Sequence, residues 1–402
     1  VIAERMSLFT SEAREEGVYT LFRASEVNMV PYICFNYMPQ PKIAIIYLSF
    51  HCEPYIDDVM SALKKLTYPK DRLAFVVVDN PHPEYGSSVR YLEENFLPLS
   101  GKEIPQVVLL PQKENLGFSG GNNIGIQWAI DNGYDYVYFH NNDGFMATNA
   151  LEPLVKAMEN DKTIGEAQSL LLMHPETNLI NTAGNSFHYL GFGFCGNFRA
   201  GKDTLIFQQP TQDIGYASGA ALLMRVDLFK MYGLWDKGYF LYHEDLEYTM
   251  RLRAVGYRPA LVPDSIFYHK YSFGRNKQKY YYMERNRHAL MLTYFKWPTL
   301  ILFLPMELLV EFGLIFFAIK NGWIKEKMAV YKYWLNLKNW KIWLDKRKKI
   351  QATRTVNDRI LLRNAIGAVI FDENSLRSPV LKYLGNPLMN LYWQVVQKII
   401  FW

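Results

Sequence analysis

Several groups of polar residues in this chain close or open apolar runs, where side chains are placed to do chemistry. Asn141-Asn142-Asp143 closes the run Tyr134–His140. A hard divalent cation prefers oxygen ligands and often binds through one or two carboxylates together with substrate phosphates, so Asp143 is a candidate ligand. The competing reading is a turn or helix-cap residue. His243-Glu244-Asp245 opens a helical stretch that carries Glu247 and Arg251. Carboxylates there complement the helix dipole, and one held ionised can also serve as a general base. Glu247 and Arg251, four apart, read as a structural pair. His269 ends the run after Val262, and a lone histidine is more often structural than a ligand. The segment from Asn115 to Gly125 places Gly117, Gly120 and Gly121, then Asn122-Asn123, between a strand and a helix. Glycines let backbone approach a ligand, and a helix N-terminus favours anionic groups; the alternative is a tight turn needing positive φ. The segment has neither the Gly-Lys-Ser/Thr of a phosphate loop nor the dinucleotide-binding spacing. Ser218-Gly219-Ala220-Ala221 interrupts an apolar stretch, where a glycine marks the close approach of backbone or ligand.

The elements that must position these residues begin at Lys42. Strand-length runs at Ile43–Phe50, Leu73–Asp79, Gln106–Leu110 and Tyr134–His140 alternate with helical stretches near Tyr55–Leu66, Ser87–Asn95 and Asn122–Asn132. Such alternation predicts an α/β fold with a mainly parallel sheet covered on both faces. Ligands then bind outside the carboxyl ends of the strands. Ser49, Asp79-Asn80, Asn115 and Asn141-Asn142-Asp143 each follow a run and therefore fall at that edge. Further on, the pattern predicts a helix near Ala150–Asn160, strands across Ile164–Tyr189 and Gly215–Val226, a helix over Glu244–Val255 and a short strand at Arg258–Val262. Residues 1–41 show no clean periodicity and end in Met38-Pro39-Gln40-Pro41, a natural linker. We read them as an N-terminal extension, followed by a catalytic unit at 42–290 and a membrane-associated helical region at 291–402.

Half of the residues are apolar, enough for a sizeable core, and the net charge of +5 is modest. Three scattered cysteines fit neither a disulfide framework nor a zinc site, which favours a reducing compartment. Aromatic residues make up 15% of the chain, and tyrosine and tryptophan suit boundaries between apolar and wet surroundings.

In this order and spacing the motifs resemble family 2 of the inverting glycosyltransferases, with the GT-A fold. The likeness is strongest over residues 42–290 and points to rhamnosyltransferase-like members that build bacterial surface glycans. The segment Asn115 to Gly125 is its most specific match, and Asn141-Asn142-Asp143 stands where the family carries its DxD metal motif. The resemblance implies donor contacts from Ser49, Asp79, Asn115, Gly120, Gly121, Asn123, Asn141 and Asn142, with Asp79 on the nucleobase. It implies an acceptor loop at Ser218 and Gly219, with Trp235 beside it, and a Glu244-Asp245 pair whose second member is the base. Asp143 and His269 would then hold Mg²⁺ or Mn²⁺. Arg275, Lys277 and Arg285, in the polar stretch after His269, are candidates for the donor phosphates by position, and a loop at Phe273-Gly274 for closing over the donor. Pro81-His82-Pro83 departs from the Ser and Asp usual after Asp79-Asn80, which bears on ribose contacts. The implied reaction is a single in-line displacement from a dTDP- or UDP-linked sugar, rhamnose first, with galactofuranose or N-acetylglucosamine as alternatives. From other classes, a non-catalytic scaffold of the same fold and a nucleotidyltransferase are the competing readings.

The C-terminal third changes character. Thr299–Ile319 is apolar and about long enough to span a bilayer, but Pro305, Glu307 and Glu311 interrupt it. A helix lying in one leaflet is therefore expected over a spanning one. Lys325 to Arg354 follows, rich in lysine and arginine and interleaved with Trp334, Trp340 and Trp343. Basic residues attract anionic lipids and tryptophan settles at headgroup level, while no nucleic-acid motif accompanies them. The expected partners are a nucleotide-sugar, a lipid-linked glycan acceptor and a membrane surface with anionic lipids. The expected place is the cytoplasmic face of the inner membrane, peripheral or monotopic.

Overall fold

In a computed structural model, residues 40–271, 277–370 and 378–402 are described. Arg275 and the Phe273-Gly274 loop lie outside them, as does nearly all of the N-terminal extension.

The first apolar run forms β1 (Ile43–Ser49), every residue buried, and the second forms β2 (Leu73–Asp79). With β3 (Gln106–Pro111) and β4 (Tyr136–His140) they make a parallel sheet in the order β3-β2-β1-β4. Runs of Val and Ile without polar alternation form such strands because both faces are covered. On one face lie α1 (Ile56–Lys65) and α2 (Val89–Asn95); α3 (Gly117–Asp131) covers the other. The register pairs Ser49 with Asp79, so the polar ends of β1 and β2 meet at the same edge.

Beyond β4 the chain makes a short β5 (Gly144–Met146), α4 (Leu151–Asn160) and β6 (Ile164–Met173). Small strands β7 (Ile180–Thr182), β8 (Asn185–His188), β9 (Gly193–Cys195) and β10 (Gln212–Asp213) follow. Next, β11 (Ala221–Arg225) inserts antiparallel between β4 and β6. After α5 (Val226–Tyr232) and α6 (Glu244–Ala254), β12 (Arg258–His269) runs parallel to β6 and pairs its end with β5. The expected short strand at Arg258–Val262 is thus longer than its pattern implied. An irregularity between Val262 and Ile266 masks the alternation, and the strand resumes through to His269.

The C-terminal residues form α7 (Gln278–Tyr294), α8 (Trp297–Lys320), α9 (Ile324–Leu335), α10 (Leu337–Thr353), α11 (Asp358–Leu361), β13 (Ala365–Ile366) and α12 (Asn386–Ile399). They share a core with the α/β part: Tyr189, Leu246 and Met250 pack in one cluster with Phe303, Met306 and Trp393. Residues 41–402 form a single compact unit. Helix α8 runs uninterrupted through Pro305 and is long and apolar enough to cross a membrane, yet little of it is buried. Its protein-facing residues include Thr299, Phe303, Met306, Glu307 and Glu311, at helical spacing. Its outward face carries Ile301, Leu304, Leu308, Phe312, Phe316 and Ile319. The usual polarity of a surface helix is therefore reversed.

That reversal is held by ion pairs. Arg287 of α7, fully buried, pairs with Glu284, Glu307 and Glu311, and Lys327 of α9 pairs with Glu284 and Glu311. His288 lies 3.1 Å from Glu307. Charges so placed are tolerable because each finds an opposite partner.

Candidate active site

Asp143 and His269 are 126 residues apart in sequence and meet because the end of β12 pairs with β5, His269 opposite Gly144. His269 Nδ1 lies 2.9 Å from Asn181 Oδ1, which can only accept, so Nδ1 carries the proton. The lone pair of Nε2 then faces Asp143 Oδ1, also 2.9 Å away. Two converging acceptors with Asn141 beside them are a donor set that suits a divalent cation. Asn142 hydrogen-bonds to the Phe50 carbonyl and so ties this turn to the end of β1.

The backbone links this corner to the carboxylate pair. Asn141 N donates to the Ala220 carbonyl at 2.9 Å, and Gly219 N donates to Asp245 Oδ2 at 3.2 Å. Asp245 also accepts from Leu246 N at 2.7 Å. Burial pushes the Asp245 carboxyl up to about 6, with these amides pulling it back. Glu244 is more deeply buried and its Oε2 has no hydrogen-bond partner; desolvation and then the neighbouring Asp245 charge drive it well above the usual carboxylate range. The pair is thus split into a carboxyl that stays protonated and one that ionises near neutrality, the division of roles acid–base chemistry uses.

The loop that reaches Glu244-Asp245 is strained. Phe240, Tyr242 and His243 all adopt positive φ, which costs a non-glycine residue about 1–3 kcal/mol. Asn286, buried in the middle of α7, holds it by placing Nδ2 within 3.0 Å of the carbonyls of Tyr239, Leu241 and Tyr242. Arg285, expected on the donor phosphates, instead donates to the carbonyls of Gly238 at 2.7 Å and Tyr239 at 2.9 Å, and to Asn286. Its guanidinium is a buried clamp on the loop. Lys277 lies at the start of α7.

Other residues of the sequence reading also have structural partners. Asp79 is fully buried and accepts from Ser49 Oγ at 2.8 Å, Ser87 Oγ at 2.6 Å and Ser88 N at 3.3 Å. Around it, His51 stacks on Tyr85 at 4.1 Å and Phe50 lies 4.5 Å from His82, an aromatic rim at the carboxyl ends of β1 and β2. Asn115 caps the turn into α3 through the Gly117 amide. Gly117 has φ +72, and a Cβ there would lie 2.5 Å from the Phe240 carbonyl oxygen. The Phe118 amide donates to that same oxygen at 2.7 Å, so the start of α3 is tied to the strained loop. Gly120 and Gly121 lie inside α3, and a Cβ on Gly121 would strike Leu48, so the glycine allows close helix–sheet packing. Asn123 makes two hydrogen bonds to the Trp235 backbone. Trp235, expected beside the acceptor, is 2% exposed and stacks on Phe139 at 4.5 Å beneath Gly219. It supports the loop from below.

Two residues that the sequence did not single out hold the Ser218-Gly219 loop. Gln168 Oε1 accepts from Ser218 N at 2.8 Å. Glu166 accepts from Thr249 Oγ1 at 2.6 Å, and that hydroxyl in turn accepts from Ala217 N. Burial pushes Glu166 up to about 8, against the pull of the Thr249 hydroxyl. Both lie on β6, far from the loop in sequence, so spacing could not reveal them. Asn286 left a local trace: Glu284-Arg285-Asn286-Arg287 is a polar run within a helix that continues into apolar residues.

A mainly parallel α/β sheet with an inserted antiparallel strand thus carries a carboxylate–histidine corner at its edge and a carboxylate pair at a helix start. Residues 44–233, a little under half of the chain, match the family model described as glycosyl transferase family 2, and over that span the chain is similar to that family. The probable glycosyltransferase YdaM of Bacillus subtilis (strain 168) is 26% identical over 242 residues, which cover 58% of this chain and 51% of the relative. The chain therefore spans about half the length of that curated relative. Among solved structures, GalNAc-T7 with UDP, GalNAc and Mn²⁺ is similar at a TM-score of 0.49 and 15% identity, covering 63% of this chain and 48% of the other. TarS 1-349 of S. aureus with UDP gives 0.45 and 16%, covering 89% and 90%. The Pyrobaculum calidifontis mannosyltransferase PcManGT, in complex with GDP-Man and Mn²⁺, gives 0.44 and 13%, covering 90% and 87%.

Proposed function

We propose that this chain is an inverting glycosyltransferase that moves a sugar from a nucleotide-sugar to a hydroxyl of a lipid-linked acceptor. The observation that carries the reading is Asp245: a carboxylate at a helix start, fixed by the Gly219 and Leu246 amides and tuned to about 6. Asp245 takes the proton of the acceptor hydroxyl as its oxygen bonds to the anomeric carbon. The bond from that carbon to the nucleoside diphosphate breaks on the opposite face, and the diphosphate leaves with the electron pair. The donor lies along the edge lined by Ser49, Asp79, Asn115, Asn141 and Asn142, and the acceptor enters beside Ser218 and Gly219. Asp143 and His269 would hold a divalent ion, Mg²⁺ or Mn²⁺, which when bound would supply neutralisation of charge on the leaving diphosphate. A dTDP-linked rhamnose is the first donor to test, with UDP-linked galactofuranose and N-acetylglucosamine next.

The acceptor reading draws on α8. Its apolar side faces outward over about 36 Å of helix, and Leu388, Leu391, Val395 and Ile399 of α12 are exposed as well. Tyr392 of α12 hydrogen-bonds to the Leu302 carbonyl of α8. Because Glu307 and Glu311 are turned inward, lipid can cover the outer face without burying a carboxylate. We therefore place the enzyme on a bilayer surface with α8 in the plane of the interface, at the cytoplasmic leaflet. The test is a panel of nucleotide-sugars with Mg²⁺ or Mn²⁺ and a polyprenyl-diphosphate-linked acceptor, in nanodiscs. Turnover of one donor, lost in Asp245→Asn with donor binding intact, is expected. Binding of donors without turnover of any would sink the proposal.

A further inference from the structure

A groove of about 520 Å³ opens where α8 begins, walled by Trp297 and Leu344 and edged by Lys296, Arg347, Lys348 and Gln351. Its floor is fixed. Arg347 is 7% exposed, donates to the carbonyls of Leu292 and Phe295, and lays its guanidinium 4.3 Å from the Trp297 ring centre. Gln351 is likewise committed to the carbonyls of Thr293 and Tyr294. The rim is different: among the described residues neither Lys296 nor Lys348 has a carboxylate within ion-pair distance. The acid Asp358 is buried behind the groove, where it accepts from the Lys296 amide and Thr299 and pairs with Arg354, so the side chains of Lys296 and Lys348 at the rim are left without an ion-pair partner among the described residues.

The recess is also where the apolar face starts. Trp297, Ile301, Leu304 and Leu308 follow one another at helical spacing along the outer side of α8, and all are at least half exposed. A ligand that fits both features has an anionic head and a long hydrocarbon chain. We propose that this groove binds the phosphate head of a membrane lipid, with its chain lying along the outer face of α8. The inference rests on the membrane-surface reading above and adds a defined site to it. Two sources share this chemistry: an anionic phospholipid, and a polyprenyl phosphate or diphosphate of the kind proposed for the acceptor.

The test uses the full chain and vesicles of phosphatidylcholine alone, with added phosphatidylglycerol, or with added polyprenyl phosphate, with inorganic phosphate as a soluble probe. Lys296→Gln with Lys348→Gln is compared with Lys338→Gln with Lys341→Gln, an equal charge loss on exposed positions of α10 outside the groove. Near an anionic surface each basic residue is worth about fivefold in affinity, so the groove pair should lose about thirtyfold on charged vesicles. The control pair should lose clearly less, and binding to neutral vesicles should not change. A loss confined to polyprenyl phosphate would assign the groove to the acceptor lipid; an equal loss on phosphatidylglycerol would assign it to the bilayer. Equal losses for both pairs, a loss on neutral vesicles, or saturable binding of inorganic phosphate alone would each overturn the assignment. Nucleotide-sugar turnover by the unaltered enzyme, followed in parallel, reports on the glycosyltransferase reading separately.

Discussion

Replacing Asp245 by asparagine and Glu244 by glutamine distinguishes the two carboxyls of the α6 start by their predicted protonation. Glu244 is buried, lacks a partner on Oε2 and stands well above the usual range, so at neutral pH it is already uncharged. Asp245 is held near 6, raised from 3.8. By that value roughly 90% of it is ionised at pH 7 and roughly 10% at pH 5. The pH profile of kcat/KM should therefore fall about tenfold per unit on its acid side, with a midpoint near 6. Because the pair interacts, the midpoint belongs to the pair as a whole. Asp245→Asn should lower kcat by about 10²–10⁴, the usual contribution of a general base, and abolish that limb. Glu244→Gln preserves shape and protonation and should leave both within a few-fold. Stability gives an independent sign. The folded state holds the Asp245 proton more tightly than the unfolded chain, so this group stabilises at low pH, and its contribution is lost as pH rises from 3.8 to about 6. Asp245→Asn should then raise the unfolding midpoint at pH 8 and change it little at pH 4. The assay is initial-rate turnover of the nucleotide-sugar from pH 5 to 8, with thermal unfolding on the same preparations. Turnover of Asp245→Asn within tenfold of the parent, or a limb that disappears with Glu244→Gln alone, would refute the reasoning.

Asp143→Ala and His269→Ala should each weaken Mn²⁺ binding by 10-fold or more, measured by titration calorimetry or by the spectrum of bound Mn²⁺, with activity restored only partly at high metal. Arg287→Met leaves Glu284, Glu307 and Glu311 short of their shared cation and should cost about 3–5 kcal/mol in denaturant unfolding. Phe312→Ser with Phe316→Ser, on the outer face of α8, should leave stability nearly unchanged and weaken vesicle binding at least tenfold. Glu166 holds its proton up to about 8 in the folded state, so stability should fall by about 1.4 kcal/mol per pH unit between 4.5 and 8. Glu166→Gln should flatten that slope in thermal unfolding measured across the same range.

The sequence by itself determined the local elements. Uninterrupted Val/Ile-rich runs read as strands buried on both faces, as β1 and β2 are, and β2 begins and ends where its run does, at Leu73 and Asp79. The placement of Asp143 after β4 and of Glu244-Asp245 at the start of α6 followed from the same local pattern. Helix α3 was harder to read: its glycines are poor helix formers, yet it begins at Gly117, five residues before the expected Asn122, because packing on β1 and the Phe240 carbonyl override that preference. Only the tertiary structure decided which distant groups meet. Sheet pairing brought His269 to Asp143, and Gln168 and Glu166 under the Ser218 loop, across separations that no periodicity records. Position alone set Arg285 on phosphates, whereas folding spent it on the Gly238 and Tyr239 carbonyls. Glu307 and Glu311 looked like interruptions of a membrane helix, because hydropathy counts residues without knowing which side of the helix is packed. Arg287, His288 and Lys327 turn that side inward, and the apolar remainder faces out.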